Sequence, residues 1–260
     1  LSCVCINFLL CIVVAFIFLH FIFYYSFSEF RDRIYLSPKI IGIDIDGVLN
    51  KHRNHFCEIL KEMTGKKLAP EQIIQIPVHT IQGVAVTAED ENKVFNHTRY
   101  WTEMPPMEND FSFIKNISKD LGYKVYIFSN RPWPNIEAIR DEEEKQKINN
   151  LWKREDIRKI TEVWLKNNNI FYNKLFIEDN SIINKIKKIL SINKDRYNIL
   201  RKEPFKFFIE DDPSNVKRIS SYCDFVFLID HPYNQEVAHF PKNVIKVNSW
   251  KDILKRIKEM

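Results

Sequence analysis

"IIGIDIDGVLN", residues 40–50, runs apolar into two aspartates one residue apart and then a glycine. The isoleucines read as a buried, β-branched strand. Asp44 and Asp46 at its end are costly to bury unless something positive compensates. Either they attend a bound cation, or the strand end is solvated.

The chain has 260 residues, enough for one large α/β domain or a core domain with a small cap. Charged residues are 28% and hydrophobic residues 45% of it, an ordinary globular balance. The net charge of +5 comes from lysines spread along the chain. Without a long basic block this reads as a solvated surface and gives no sign of a nucleic-acid polymer as partner. The five glycines, at 42, 47, 65, 83 and 122, cannot form G-x-G-x-x-G or a Walker loop, which excludes dinucleotide and P-loop sites. Cys57 and Cys223 are isolated, and no zinc-ligand spacing occurs. A reducing compartment fits this cysteine usage.

Residues 1–28 contain no Lys, Arg, Asp or Glu, and 8–25 are apolar apart from His20. A spanning helix needs roughly 20 apolar residues. Arg31 and Arg33 follow closely, so the segment reads as a transmembrane anchor with a cytoplasmic C-terminal domain after it. It lacks the basic start and small-residue cleavage site of a signal peptide. The chain opens on Leu and its first Met is Met63, so translated upstream sequence is the other reading.

Further strands are expected at 123–129, 174–178, 205–210 and 224–230, with a short extended piece at 243–247. Helices are expected at 52–63, 68–76, 88–101, 109–122 and 135–168, after Ser181, and from Ser249. In 109–122, Phe111, Ile114, Ile117 and Leu121 share a face, Asp110 can cap the start and Gly122 ends it. Strands alternating with helices imply a Rossmann-like three-layer α/β sandwich with a parallel sheet. Such folds bind ligands at the carboxyl ends of the strands. There the chain places Asp44 and Asp46, then Ser129, Asn130 and Arg131, then Glu210, Asp211 and Asp212.

Clustered carboxylates suit magnesium, a hard cation that takes oxygen ligands. Ser129 and Asn130 are suited to an anion, and a phosphate would bridge the two. One aspartate could attack phosphorus, and the other, two residues away, could carry the leaving group's proton.

"IDIDGVLN" resembles the first motif of the haloacid dehalogenase-like (HAD) superfamily, "VYIFSN" its second and "FFIEDDPSN" its fourth. Residues 160–177, 208–216, 227–234 and 247–254 are similar in order and spacing to its 5'-nucleotidase branch, which includes the deoxyribonucleotidases. The resemblance implies a phosphatase domain over 37–260 with a small helical cap at about 51–107. It implies Asp44 as nucleophile forming an aspartyl-phosphate, and Asp46 as general acid and then base. Ser129, with Asn130 beside it, would bind the phosphoryl group. Asp44, the Asp46 carbonyl and Asp211 would hold Mg2+, with Glu210 or Asp212 in support. The third-motif lysine is expected at Lys185, with Lys174, Lys187 and Lys188 as competitors. "FIED" occurs at 176–179 and 208–211; the second, followed by "DPSN", is taken as the metal motif.

The substrate implied is a small phosphorylated molecule, by resemblance a nucleotide; the alternatives are another small phosphate such as a sugar phosphate, or a non-catalytic phosphate- or protein-binding domain on the same fold. Phe95, Tyr100 and Trp101 in the cap could stack on a base or pack the cap's own core. Arg131 could touch substrate or pair with a neighbouring acid. His52 and His55 could line the entrance, or be solvated loop residues.

Overall fold

A computed structural model describes residues 39–74, 77–131, 154–177, 205–235 and 239–260. Residues 39–260 form one compact unit. The strand that opens it, β1 (Ile40–Asp44), lies inside the sheet, between β2 (Lys124–Ser129) and β4 (Phe205–Glu210). Adding β3 (Lys174–Ile177), β5 (Cys223–Ile229) and β6 (Val244–Val247) gives the order β3-β2-β1-β4-β5-β6, every pair parallel. The extended piece at 243–247 is thus a sixth strand.

Strand side chains alternate between faces. Ile41, Ile43, Val125, Ile127, Phe207 and Ile209 enter one core cluster, and Tyr126, Phe128, Phe208, Val226 and Leu228 another. The first is covered by α4 (Ser112–Leu121), α5 (Arg154–Asn167) and α7 (Trp250–Glu259), through Ile114, Ile117, Trp164, Leu165, Ile253 and Ile257. The second receives Val216 and Ile219 of α6 (Pro213–Ile219). This is the expected three-layer sandwich with an all-parallel sheet. Gly42 sits where any Cβ would run into the Phe208 ring.

Between β1 and α4 the chain forms α1 (His52–Thr64), single 3-10 turns at Pro70–Gln72 and Val78–Thr80, then α2 (Ala88–Asn96) and α3 (Thr98–Thr102). Of the helix expected over 68–76, the described residues 68–74 form only that first turn, and 75–76 lie outside the described residues. Gln72 reaches back to the Ala69 N–H at 2.9 Å and closes it. The helix expected over 88–101 breaks at His97, whose backbone is extended (φ −78°, ψ 122°). The Trp101 indole donates to the Phe95 carbonyl across this break at 2.8 Å. In α4, Asp110 accepts the Ser112 N–H at 2.8 Å and Gly122 ends the helix at φ 70°. Phe111, Ile114 and Ile117 are buried as expected, while Leu121 is exposed.

No helix among the described residues is long and apolar enough to cross a membrane. The segment 1–28 lies outside the described residues, as do residues 135–153, the Ser181 helix, and Lys185, Lys187 and Lys188.

Candidate active site

Because β1 lies between β2 and β4, the carboxyl ends of these three strands are neighbours. Past Asp44 the chain turns tightly: Ile45 donates to the Phe128 carbonyl at 3.1 Å, and Leu49 donates back to the Ile45 carbonyl at 2.8 Å. Gly47 takes φ +87°, and a Cβ there would overlap the Asp211 carboxylate. This position therefore needs glycine for both conformation and space. The turn is locked by Asn50, fully buried, which accepts the Gly47 N–H at 3.2 Å and donates to Asp46 Oδ1 at 2.8 Å. Trp250 of α7 holds the same turn from far along the chain, its indole donating to the Val48 carbonyl at 3.0 Å.

Asp44, Glu210 and Asp211 are all buried, and each offers an oxygen within 4.8 Å of the others. Three buried carboxylates repel one another, and a divalent cation with oxygen preference suits that donor set. Glu210, expected only in support, is a full member of this group, and its Oε1 also accepts the Asp211 N–H at 3.2 Å. Asp212 caps α6 instead, accepting the Ser214 N–H at 2.7 Å. The Asp46 side chain also stands outside the cluster. Its Oδ2 accepts from Ser129 Oγ at 3.3 Å, and its Oδ1 lies 3.5 Å from Arg131 Nη2.

Burial alone would raise the Asp46 pKa. The positive charge of Arg131, the nearby His52, and hydrogen bonds from Asn50 and Ser129 outweigh it and hold the carboxyl below its ordinary value. Arg131 is itself buried. Its Nη1 donates to Thr161 of α5 at 3.1 Å, while Nε has no hydrogen-bond partner among the described residues. Ser129 is fully buried and Asn130 is exposed. Lys174 is placed away from these residues. It is the first residue of β3, at the amino end, with its ammonium 4.7 Å over the Tyr126 ring.

Four residues given no role at this site by the sequence reading gather beside Asp211 and Gly47. Tyr233 donates its hydroxyl to Asp211 Oδ2. His231 Nε2 lies 2.8 Å from the Gly47 carbonyl, and Asn234 donates to the Asp211 carbonyl at 2.9 Å. The Arg53 guanidinium stands 3.2 Å from the Tyr233 ring centre. His52 and His55, expected in a solvated loop, are buried on α1. His52 Nδ1 has no partner among the described residues, and burial lowers its pKa from 6.5 to about 4 despite the opposing pull of Asp46 and Asp211. Phe95, Tyr100 and Trp101 pack on one another, with ring centres 4.7 Å to 6.1 Å apart.

No family model and no curated protein matches the chain. Among solved structures it resembles YfnB of Bacillus subtilis, a HAD-hydrolase bound to magnesium, at 11% identity and TM-score 0.48, covering 85% of this chain and 99% of that one. It resembles a HAD-superfamily hydrolase of Ehrlichia chaffeensis at 13% identity and TM-score 0.43, over 86% and 97% of the two chains. D,D-heptose 1,7-bisphosphate phosphatase of Burkholderia thailandensis is similar at 9% identity and TM-score 0.42, over 85% and 99%. Likenesses this distant carry no weight on activity, and the fold rests on the strand order and pairing themselves.

Proposed function

We propose that the protein is a magnesium-dependent phosphomonoester hydrolase working through an aspartyl-phosphate on Asp44. The observation that carries this is the paired disposition of Asp44 and Asp46. One carboxylate joins the buried acidic cluster, while the other turns away to Ser129, Asn50 and Arg131. A nucleophile and a proton carrier need that division of labour.

Asp44 attacks phosphorus as the bond to the leaving oxygen breaks, and Asp46 gives that oxygen its proton. Asp46 then takes a proton from water as the water attacks phosphorus, which releases phosphate and restores Asp44. Ser129, and the Asn130 backbone N–H beside it, bind the phosphoryl oxygens. Mg2+, held by Asp44, Asp211, Glu210 and the Asp46 carbonyl, would offset the charge between anionic substrate and Asp44. In the free protein Arg131 favours the carboxylate form of Asp46. A phosphate dianion arriving beside it opposes that effect and favours the protonated form.

The motifs' likeness to the nucleotidase branch makes nucleoside monophosphates the first substrates to test. A second reading, a smaller phosphate such as a sugar phosphate, is favoured by the closed packing of Phe95, Tyr100 and Trp101, whose faces serve the core. Phosphate release from nucleoside monophosphates and sugar phosphates, with Mg2+ or EDTA and beside Asp44→Asn, tests both. Magnesium-dependent release abolished by Asp44→Asn is expected, and the ranking of substrates selects the class. No release from any of them by the folded protein would refute the reading for those substrates.

A further inference from the structure

The turn after β5, Pro232–Asn234, supplies neither the nucleophile nor the acid of the proposed reaction, yet it grips the cation site at several points. Asn234, fully buried, donates to the Asp211 carbonyl at 2.9 Å and to the Ile229 carbonyl at 2.8 Å. That fixes the Asp211 backbone against the end of β5. Tyr233, one residue earlier, reaches the side chain of the same aspartate with its hydroxyl. The carboxylate is thus held from both ends by one short turn.

The Tyr233 ring is itself fixed. The Arg53 guanidinium stands 3.2 Å from the ring centre, and the His231 ring stacks on it at 5.0 Å with an interplanar angle of 11°. Arg53 is anchored by a hydrogen bond from its Nη1 to the Ile73 carbonyl. His231 is anchored through Nε2 to the Gly47 carbonyl at 2.8 Å. The space left open by the missing Cβ of Gly47 borders both the Asp211 carboxylate and the Tyr233 hydroxyl.

We propose that Tyr233 is a positioning residue for the cation site, its hydroxyl holding the Asp211 carboxylate in one orientation toward Asp44 and Glu210. The inference rests on the magnesium reading of the acidic cluster. A carboxylate has about four lone-pair sites, so one oxygen can accept from a phenol while the group still binds a cation. Hydrogen-bond partners of metal ligands set ligand orientation, and losing one commonly weakens metal binding by about 10- to 100-fold.

Calorimetric titration of the full chain with MgCl2 tests this in wild type, Tyr233→Phe, His231→Gln and Asp211→Asn, with melting curves in EDTA beside it. Tyr233→Phe keeps the ring against Arg53 and His231 and removes only the hydroxyl. The expected result is binding by wild type, none by Asp211→Asn, and about tenfold weaker binding by Tyr233→Phe, its melting curve in EDTA keeping a single cooperative transition. His231→Gln, which removes the stacked ring but keeps the Tyr233 hydroxyl, is expected to weaken binding less than Tyr233→Phe does. Wild-type affinity in Tyr233→Phe overturns the proposal and leaves the magnesium reading standing. Equal loss in His231→Gln also overturns it, since the turn as a whole would then be responsible. No Mg2+ binding by wild type, or undiminished binding by Asp211→Asn, overturns the magnesium reading and this inference with it.

Discussion

Arg131 Nη2 lies 3.5 Å from Asp46 Oδ1, and the arginine side chain is wholly buried. A guanidinium so placed sets the charge of the carboxylate it faces. Removing it by Arg131→Met takes away the cation that holds the Asp46 pKa down. Asp46 must carry its proton in the first step of the proposed reaction, so its higher pKa moves the basic limb of the kcat/KM profile to higher pH. Arg131→Ala also takes the guanidinium from the buried Thr161 hydroxyl and is expected to cost about 1–3 kcal/mol of stability, read by urea unfolding.

His52 supplies a pH test of the folded state that requires no substrate. Its pKa falls from 6.5 to about 4 on folding. A depressed folded-state pKa contributes stability above the unfolded value, which is lost as pH falls through the folded value. In EDTA the wild type should therefore lose about 3 kcal/mol from this group between pH 6.5 and 4. His52→Gln lacks that term, and urea unfolding across the range should give it the flatter curve. Parallel curves for the two proteins would show that His52 is not the group responsible.

Gly47→Ala should be among the most damaging single changes. It forces a left-handed residue (φ +87°) to carry a Cβ, and that Cβ overlaps the Asp211 carboxylate. Backbone strain of about 1–3 kcal/mol should lower the thermal midpoint, and Mg2+ affinity by calorimetry should fall with it. Gly83→Ala, also at positive φ but with open space around it, controls for the backbone contribution alone.

Trp250→Phe keeps an aromatic ring in the core and removes the indole N–H from the Val48 carbonyl. Leaving that carbonyl unsatisfied is expected to cost about 1–3 kcal/mol, measured by urea unfolding.

The strand framework was readable because each of the five strands expected outright is a short apolar run, and in parallel sheets such runs are buried on both faces. Convergence of Asp44, Ser129 and Glu210–Asp211 at one edge followed from that topology. The division among acids 210–212 was also legible in part, since Asp212 before Pro213 and Ser214 has the form of a helix N-cap. His52 could have been found from periodicity: it lies one turn before Phe56 on α1, on the face that also buries Ile59 and Leu60. Tyr233 was harder. It lies 22 residues from Asp211, and only the adjacency of β4 and β5 brings the two together. The break at His97 was not visible, because the residues on both sides of it keep a helical pattern.

The position of β1 inside the sheet has a consequence for how the protein comes into being. Its two neighbours, β2 and β4, begin at residues 124 and 205, so β1 acquires its second partner only after residue 205 has been made. Pairings this distant in sequence are slow to close. Asp44 is synthesised well before Glu210 and Asp211, so a nascent chain that ends before residue 210 would carry the proposed nucleophile without those two acids. Catalytic competence would then arrive in a single late step of synthesis, and the exposed edge of β1 would be the part of the growing chain most in need of a chaperone.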